Sequence, residues 1–324
     1  MLNRTLTVEV ARVTEAAAIA AARMRGRGDE RAAHELAVQA MHEALGKLAV
    51  NGRVVVGEGV RGAADALFID EELGAGGPQA DIAVAPLEGI TLTVKDMPDA
   101  LSVAAVAQRD SLLKVPGCYM DKIAIGGDYP EDLVDLDRPP AENLARLARA
   151  KGVPVSEITV CILDRPRHMR MIDEIREAGA AIRLITDGDI AGVIHVTDPD
   201  ETGIDIYMGS GGAPEGVLAA AALSCIGGQM QTRLVVRSRE DAAAIDKAGI
   251  NDPRRKFMLA DMVRGDVIFA ATGVTSGSML RGVRLRPGHV STHTVSMRRK
   301  SGTVRFSHAR RRLDGDGNLL NGVM

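Results

Sequence analysis

Apolar residues along the first part of the chain recur with two different periods. Over residues 6–24 and 30–45 they return every three or four positions, which predicts two helices separated by the glycines of Arg25-Gly26-Arg27-Gly28. Short apolar runs follow at 53–56, 81–84 and 101–107, with Gly- and Pro-containing turns between them, which is typical of strands. This part of the chain is therefore predicted to pack helices on a sheet.

Beyond about residue 140 the pattern becomes an alternation of strands and helices. It predicts helices at 141–151, 168–178 and 214–226, strands at 158–163, 181–185, 205–208 and 267–272, and a terminal hairpin formed by 289–298 and 303–310 that turns at Gly302. Such alternation is the signature of βαβ units and predicts a parallel sheet. We place a boundary between residues 128 and 140, which gives an N-terminal α+β half (1–135) and a C-terminal α/β half (136–324).

The composition of the chain mainly argues against certain classes of partner and of site. A chain of 324 residues with 46% hydrophobic and 26% charged residues is long enough for a substantial core. The net charge of −3 predicts neither a nucleic-acid nor a membrane partner, and 2% aromatic residues with no Trp argue against base-stacking surfaces. Three widely spaced cysteines and an N-terminus without a signal-peptide pattern predict a cytoplasmic protein without disulfides or zinc.

Three glutamates next to glycines follow predicted strands. Glu58 lies in Gly-Glu-Gly after 53–56, Glu88 in Pro-Leu-Glu-Gly after 81–84, and Glu215 in Gly-Gly-Ala-Pro-Glu-Gly after 205–208. Carboxylates presented from strand ends are the hard oxygen ligands that Mg²⁺ or Mn²⁺ prefers. Each also has a plainer interpretation, since Glu58 suits a surface turn and Glu215, after Pro214, suits the first turn of any helix.

Taken in order, these segments resemble the class II fructose-1,6-bisphosphatases of the lithium-sensitive sugar-phosphatase superfamily, from about residue 6 to residue 310. The matching stretches are Arg12-Val13-Thr14-Glu15, Gly26-Arg27-Gly28-Asp29, Val56-Gly57-Glu58-Gly59, 81–91, Tyr119-Met120, Arg165-Pro166-Arg167-His168, Asp187-Gly188-Asp189, 211–216 and Ala271-Thr272-Gly273-Val274-Thr275. The resemblance implies an α/β fold, a layered α/β/α/β/α sandwich with the site between its halves. It also implies metal-dependent hydrolysis of the 1-phosphate of fructose 1,6-bisphosphate, as in gluconeogenesis.

The resemblance implies roles for individual residues as well. Glu88 would be catalytic, and Mn²⁺ or Mg²⁺ would be held by Glu58 and Glu88 of the N-terminal half together with Glu215, with His34 as a further candidate ligand. The substrate would contact Gly89, Ile90, Tyr119, Arg165, Pro166, Arg167, Asp187, Gly188, Asp189 and Gly212. We expect a homo-oligomer, a dimer or a tetramer, possibly assembled with an active homologue.

The chain departs from the family pattern at the expected metal and water site. Ala85 stands where the family has a metal-bridging Asp, Ile90 where it has a water-orienting Thr, and His34 where it has an Asp. An imidazole can ligate Mn²⁺ but is a poor Mg²⁺ ligand, and a histidine on an apolar face is more often a core residue. The sequence also has Gly59-Val60-Arg61-Gly62 where the family has further acidic residues.

Two classes of function are consistent with these residues. The first is a working sugar bisphosphatase with a remodelled site, and the second is a paralogue that binds sugar phosphate as a regulatory or partner subunit. A dinucleotide site at Gly57-Glu58-Gly59-Val60-Arg61-Gly62 is a minor alternative, because this GxGxxG pattern follows two helices instead of a first strand. The arginines of Arg165-Pro166-Arg167 suit a phosphate, although they would also suit a surface basic cluster.

Overall fold

The protein is a stack of helical and strand layers. The computed structural model describes residues 2–127 and 129–314. Its strands are β1 Asn51–Val56, β2 Glu72–Leu73, β3 Gln79–Glu88, β4 Leu101–Gln108, β5 Tyr119–Ile125, β6 Thr159–Leu163, β7 Ala181–Ile185, β8 Ile206–Gly212, β9 Gln229–Val235, β10 Phe257–Met258, β11 Val267–Gly273, β12 Arg284–Arg286, β13 His289–Arg298 and β14 Thr303–Arg312. Its α-helices are α1 Leu6–Ala22, α2 Glu30–Leu45, α3 Ile90–Val94, α4 Pro140–Lys151, α5 Met169–Glu177, α6 Asp189–Ile194, α7 Pro199–Thr202, α8 Ala213–Ile226, α9 Arg239–Lys247 and α10 Leu259–Met262.

These elements form two sheets. The first has the order β12-β13-β11-β4-β3-β1-β2, with β14 paired to the other side of β13, and the second has the order β10-β9-β5-β8-β6-β7. Helices α1 and α2 cover one face of the first sheet. Helices α6 and α8 fill the space between the sheets, and α4 and α5 cover the outer face of the second sheet. The predicted five-layer α/β/α/β/α sandwich is thereby confirmed.

Two expectations about the sheets need correction. The second sheet is mixed, because β6 pairs in parallel with β7 and β8 whereas β5, β9 and β10 are antiparallel to their neighbours. Strands β11 to β14 also return to the first sheet, so sheet membership does not divide the chain between residues 128 and 140. Periodicity reveals which segments are strands, but the choice of partner depends on long-range packing. The proposed halves, 1–135 and 136–324, stay a prediction about folding units.

Most individual elements lie where the apolar pattern placed them, within a few residues at their ends. The hairpin of β13 and β14 turns at Gly302, whose φ of 56° lies in the left-handed region. One local difference concerns Pro86, which was expected in a turn. The strand continues through Pro86 to Glu88 with a register shift between Ala85 and Glu88, which is a bulge that tolerates proline.

Buried hydroxyl groups connect the first helix to the first sheet. Thr272 Oγ1 on β11 lies 2.8 Å from Thr14 Oγ1 on α1 and 2.8 Å from Thr294 Oγ1 on β13. All three residues are fully buried. Because buried polar groups are costly when unpaired, this chain of hydroxyls fixes where α1 crosses the sheet.

We therefore expect Thr272→Val to lower the free energy of unfolding by about 1–3 kcal/mol, since it removes the middle hydroxyl of the chain. Urea denaturation would measure the loss. Thr292→Val is the matched control, because the buried hydroxyl of Thr292 has no hydrogen-bond partner in the described part of the chain, and its removal should be neutral or stabilising. Equal losses in the two variants would contradict the assignment.

Candidate functional site

One cavity of about 590 Å³ gathers most of the predicted site residues. It is lined by segments of both sheets and by the first turn of α8. The predicted residues on its wall are His34, Glu58, Glu88, Gly89, Ile90, Tyr119, Arg165, Arg167, Asp187, Asp189, Gly212 and Glu215. Pro166 and Gly188 are not on the wall. Pro166 opens a short 3₁₀ turn, and Gly188, with φ of 84°, precedes α6 and positions Asp189.

Glu88 connects the first sheet to the helical layer between the sheets. It is the last residue of β3 and is followed by Gly89, whose φ of 81° turns the chain into α3. One oxygen of the buried Glu88 carboxylate, Oε1, accepts a hydrogen bond of 3.1 Å from the backbone N–H of Ile190 in α6. The first sheet therefore delivers this carboxylate to the layer between the sheets.

Glu58 has a protein partner at the predicted metal site. His34 on α2 brings its Nε2 to 2.6 Å from Oε2 of Glu58, directly after β1. The hydrogen bond to Glu58 raises the pKa of His34, although partial burial acts in the opposite direction. His34, the further candidate ligand, thus lies at the cavity and is only half-buried.

The other two glutamates repel neighbouring acids. Burial raises the pKa of Glu88 well above its usual value, and Asp189 and Glu215 raise it further. Burial also raises the pKa of Glu215, with Asp189 adding to the shift and Lys122 opposing it. Gly212 leaves room for this arrangement, since a Cβ at 212 would lie 1.8 Å from Oε2 of Glu215. The cavity therefore concentrates negative charge that a cation would offset.

The donor chemistry of Glu58, Glu88 and Glu215 suits Mg²⁺ or Mn²⁺. Their arrangement does not close around an ion, because within residues 2–127 and 129–314 no group of three or more His, Cys, Asp or Glu residues is placed to hold one. Ala85 and Ile90 line the same cavity and offer only apolar side chains there. The carboxylates are thus of the right kind but do not form a ready-made metal site.

Aromatic and arginine side chains form another part of the cavity. Arg167 donates from Nε and Nη2 to the carbonyl oxygen of Ser210, at 3.0 and 2.7 Å, and its guanidinium lies 4.8 Å from the centre of the Tyr119 ring. Arg237, which the sequence did not indicate, lies 3.9 Å from the same ring centre. Arg165 also lines the cavity. Burial raises the pKa of the Asp187 carboxyl, and the positive charge of Arg165 opposes that rise. Such guanidinium groups suit phosphate.

Sequence reasoning missed Lys122, which is fully buried in β5 and forms an ion pair with Asp189. Glycines make the space for this pair, because a Cβ at 211 would lie 3.1 Å from Lys122 Nζ and one at 216 would lie 3.1 Å from its Cε. Tyr207, also fully buried, is close enough that Asp189 adds to the rise that burial causes in its pKa. The only signal in the sequence was a lysine beside the apolar residues 123–125.

The five-layer fold and this cavity define an α/β sandwich of the sugar-phosphatase type. A family model described as bacterial fructose-1,6-bisphosphatase, glpX-encoded, matches residues 4–311. The chain is 38% identical over 334 residues to the class 2 fructose-1,6-bisphosphatase of Haemophilus influenzae, covering 99% of this chain and all of that protein. It is 39% identical to D-fructose 1,6-bisphosphatase class 2/sedoheptulose 1,7-bisphosphatase from each of two Synechococcus strains, JA-3-3Ab and JA-2-3B'a(2-13), covering 94% of this chain and 95% of each relative. The chain therefore belongs to the glpX-encoded, class II fructose-1,6-bisphosphatase family.

Removing the buried charge of Lys122 should destabilise the protein. We expect Lys122→Met to cost about 3–5 kcal/mol of unfolding free energy, because it leaves Asp189 buried without its partner. The double variant Lys122→Met, Asp189→Asn should regain most of that loss, since both charges are then gone. Urea denaturation measures the difference, and Arg170→Met, at an exposed ion pair with Glu174, is the control expected to change stability by less than about 0.5 kcal/mol. A double variant no more stable than Lys122→Met would refute the pairing.

His168 should make stability depend on pH. Its Nε2 accepts a 2.8 Å hydrogen bond from the N–H of Ser210, so its Nδ1 carries the proton and donates to the carbonyl of Leu163. Burial lowers the pKa of His168 below its usual 6.5. A depressed pKa in the folded state contributes stability above about pH 6.5 that is lost as the pH falls through the folded value.

Between pH 7.5 and 5.5, the unfolding free energy of the parent should therefore fall more than that of His168→Gln. Denaturation at both pH values measures this, with His308→Gln on the exposed surface of β14 as the control that keeps the parent's pH dependence. An identical pH dependence in the parent and His168→Gln would contradict the lowered pKa of His168.

Proposed function

We propose that this protein hydrolyses the 1-phosphate of fructose 1,6-bisphosphate in cytoplasmic carbohydrate metabolism, within gluconeogenesis. The observation that carries the proposal is that Arg165 and Arg167 line the same cavity as Glu58, Glu88 and Glu215. A bisphosphate needs both kinds of group, because one phosphate must be anchored while the other reacts. The printed names of the relatives agree with this substrate.

In this proposal the substrate is held mainly by groups tied to the backbone. Arg167 and Arg165 bind the unreacting phosphate, and the stacking of Arg167 on Tyr119 together with its hydrogen bonds to Ser210 restricts the guanidinium to one orientation. Asp187 and Asp189 accept hydrogen bonds from sugar hydroxyls. Gly212, which precedes α8, lines the same cavity and is assigned to the substrate as well.

We propose Mn²⁺ or Mg²⁺ as the cofactor, held by Glu58, Glu88 and Glu215, with His34 favouring Mn²⁺. When bound, such an ion neutralises phosphoryl oxygens and activates water. Glu88, buried against α6, is the residue that we assign to the reacting phosphate. Oligomeric assembly, as a dimer or tetramer with itself or with a homologue, is part of the same proposal.

A second candidate function is sugar-bisphosphate binding with little hydrolysis, as a regulatory or partner subunit. Three observations favour it, namely the apolar Ala85 and Ile90 on the cavity wall, the engagement of Glu58 by His34, and the open arrangement of the carboxylates in the described residues. Loss of a proton-handling group typically costs about 10²–10⁴ in rate. The two candidates share the binding step and differ in turnover.

Phosphate release from fructose 1,6-bisphosphate and from sedoheptulose 1,7-bisphosphate, each with Mn²⁺ and with Mg²⁺, separates the two candidates. Turnover that chelation abolishes supports the phosphatase, whereas calorimetric binding without turnover supports the second candidate. Arg167→Ala should weaken binding about 10- to 100-fold, because it removes charge-assisted hydrogen bonds. Arg176→Ala, at an exposed ion pair on α5, is the matched control that should bind like the parent. A parent that binds neither bisphosphate would overturn both.

A further inference from the structure

Positive charge is concentrated at the C-terminal end of the described chain. Residues 281–312 contain ten Lys or Arg residues and no Asp or Glu. Taken from the net charge of −3, these ten charges leave −13 for the rest of the chain. Our prediction of no nucleic-acid partner used the net charge of the whole chain, which hides this separation of positive from negative charge.

Strand register places many of these groups on one face of β12, β13 and β14. Arg284 and Arg286 are opposite Ser291 and His289 of β13, which are opposite Arg310 and Arg312 of β14. Directly paired residues share a face, and alternate residues of a strand return to it. We call this surface the basic face and define it by Arg284, Arg286, Arg310, Arg312, His293 and Phe306.

Within residues 2–127 and 129–314, the arginines of the basic face lack carboxylate partners. In the described part of the chain the side chains of Arg284, Arg286 and Arg312 make no hydrogen bond or ion pair, and that of Arg310 contacts only the ring of His289, at 3.3 Å. On the opposite face of β14, by contrast, Arg311 forms an ion pair with Glu15 of α1. The four cations are exposed or partnered only by a ring, and so are available to a ligand.

Rings lie beside these cations. Phe306 is 60% exposed, and its ring centre is 6.0 Å from that of His293, which is directly opposite His308 on β14. The chain has only four phenylalanines and no tryptophan, and one of the phenylalanines, Phe306, lies on an exposed sheet surface. Exposed rings on a sheet next to basic side chains are the combination that stacks unpaired bases.

We propose that the basic face binds single-stranded nucleic acid, with the arginines on phosphates and the rings of Phe306 and His293 on bases. Arginines on an edge strand also discourage strand pairing between molecules, and this role would explain the arginines of β14. That role does not extend to Arg284 and Arg286, which lie on β12, nor to an exposed phenylalanine. An acidic peptide would use the charges and leave the rings without a role.

Fluorescence anisotropy with a labelled 12-nucleotide oligouridine at several salt concentrations tests the proposal on the full chain. Binding should weaken as salt rises, and Arg310→Gln with Arg312→Gln should reduce the slope of log affinity against log salt by about 1.4, since each phosphate contact contributes about 0.7 for a single strand. Phe306→Ala should weaken binding about 5- to 100-fold, which corresponds to the loss of one stacked base.

The same strand supplies the matched control. Arg305 faces the α1 side, is exposed and has no partner in the described residues, so Arg305→Gln removes an equivalent charge from the other face and should leave binding unchanged. The proposal is overturned if the parent does not bind the oligonucleotide, if Arg305→Gln weakens binding as much as Arg310→Gln, or if polyglutamate competes equally and Phe306→Ala has no effect. Because fructose 1,6-bisphosphate should not displace the oligonucleotide, the result is independent of the proposed catalytic function.

Discussion

The buried positive charge of Lys122 is the interaction on which the site depends. Burial and mutual repulsion disfavour the charged forms of Glu88 and Glu215, with Asp189 contributing to both. Lys122 is the buried cation that opposes this, because it pairs with Asp189 and lowers the pKa of Glu215. Its side chain fits because positions 211 and 216 are glycines. A buried ion pair is weak evidence for stability as such, but it fixes the position of a charge, and here it fixes one wall of the cavity.

The phosphate-binding and cation-binding parts of the cavity differ in how firmly they are organised. Arg167 is anchored to Ser210, whose N–H in turn donates to His168, so the arginine rests on a continuous chain of hydrogen bonds to the end of β6. Among the three glutamates, Glu88 accepts a hydrogen bond from the N–H of Ile190, and Glu58 contacts His34. Arg167 is therefore held by the second sheet, whereas the three carboxylates are not placed around a common ion position in the described residues.

The sequence predicted the helices, the strands and the residues that line the cavity better than it predicted which strands pair with each other. Apolar periodicity and glycine positions located β3, α8 and the terminal hairpin, because those signals are local. They could not reveal that β11 to β14 complete the first sheet or that β5 runs antiparallel in the second, since strand partners are chosen by packing between distant segments. The resemblance implied that Gly212 contacts the substrate, and it implied nothing for Gly211. In the structure Gly211 makes room for Lys122 and Asp189, and Gly212 makes room for Glu215, a role that appears only when side chains from three elements are placed together.

The charge distribution also constrains how an anionic substrate can enter. A bisphosphate that approaches Arg165 and Arg167 must bring its second phosphate toward a wall that contains Glu58, Glu88 and Glu215. The negative charges of the phosphate and of the glutamates in one cavity repel each other, which opposes binding unless a cation or protons neutralise the glutamates. A cation that lowers this repulsion strengthens bisphosphate binding, and by thermodynamic reciprocity the bisphosphate strengthens cation binding by the same factor. Because Ala85 offers no carboxylate, the cation that we propose would be held by three glutamates alone, and its affinity would then rise when the bisphosphate is bound.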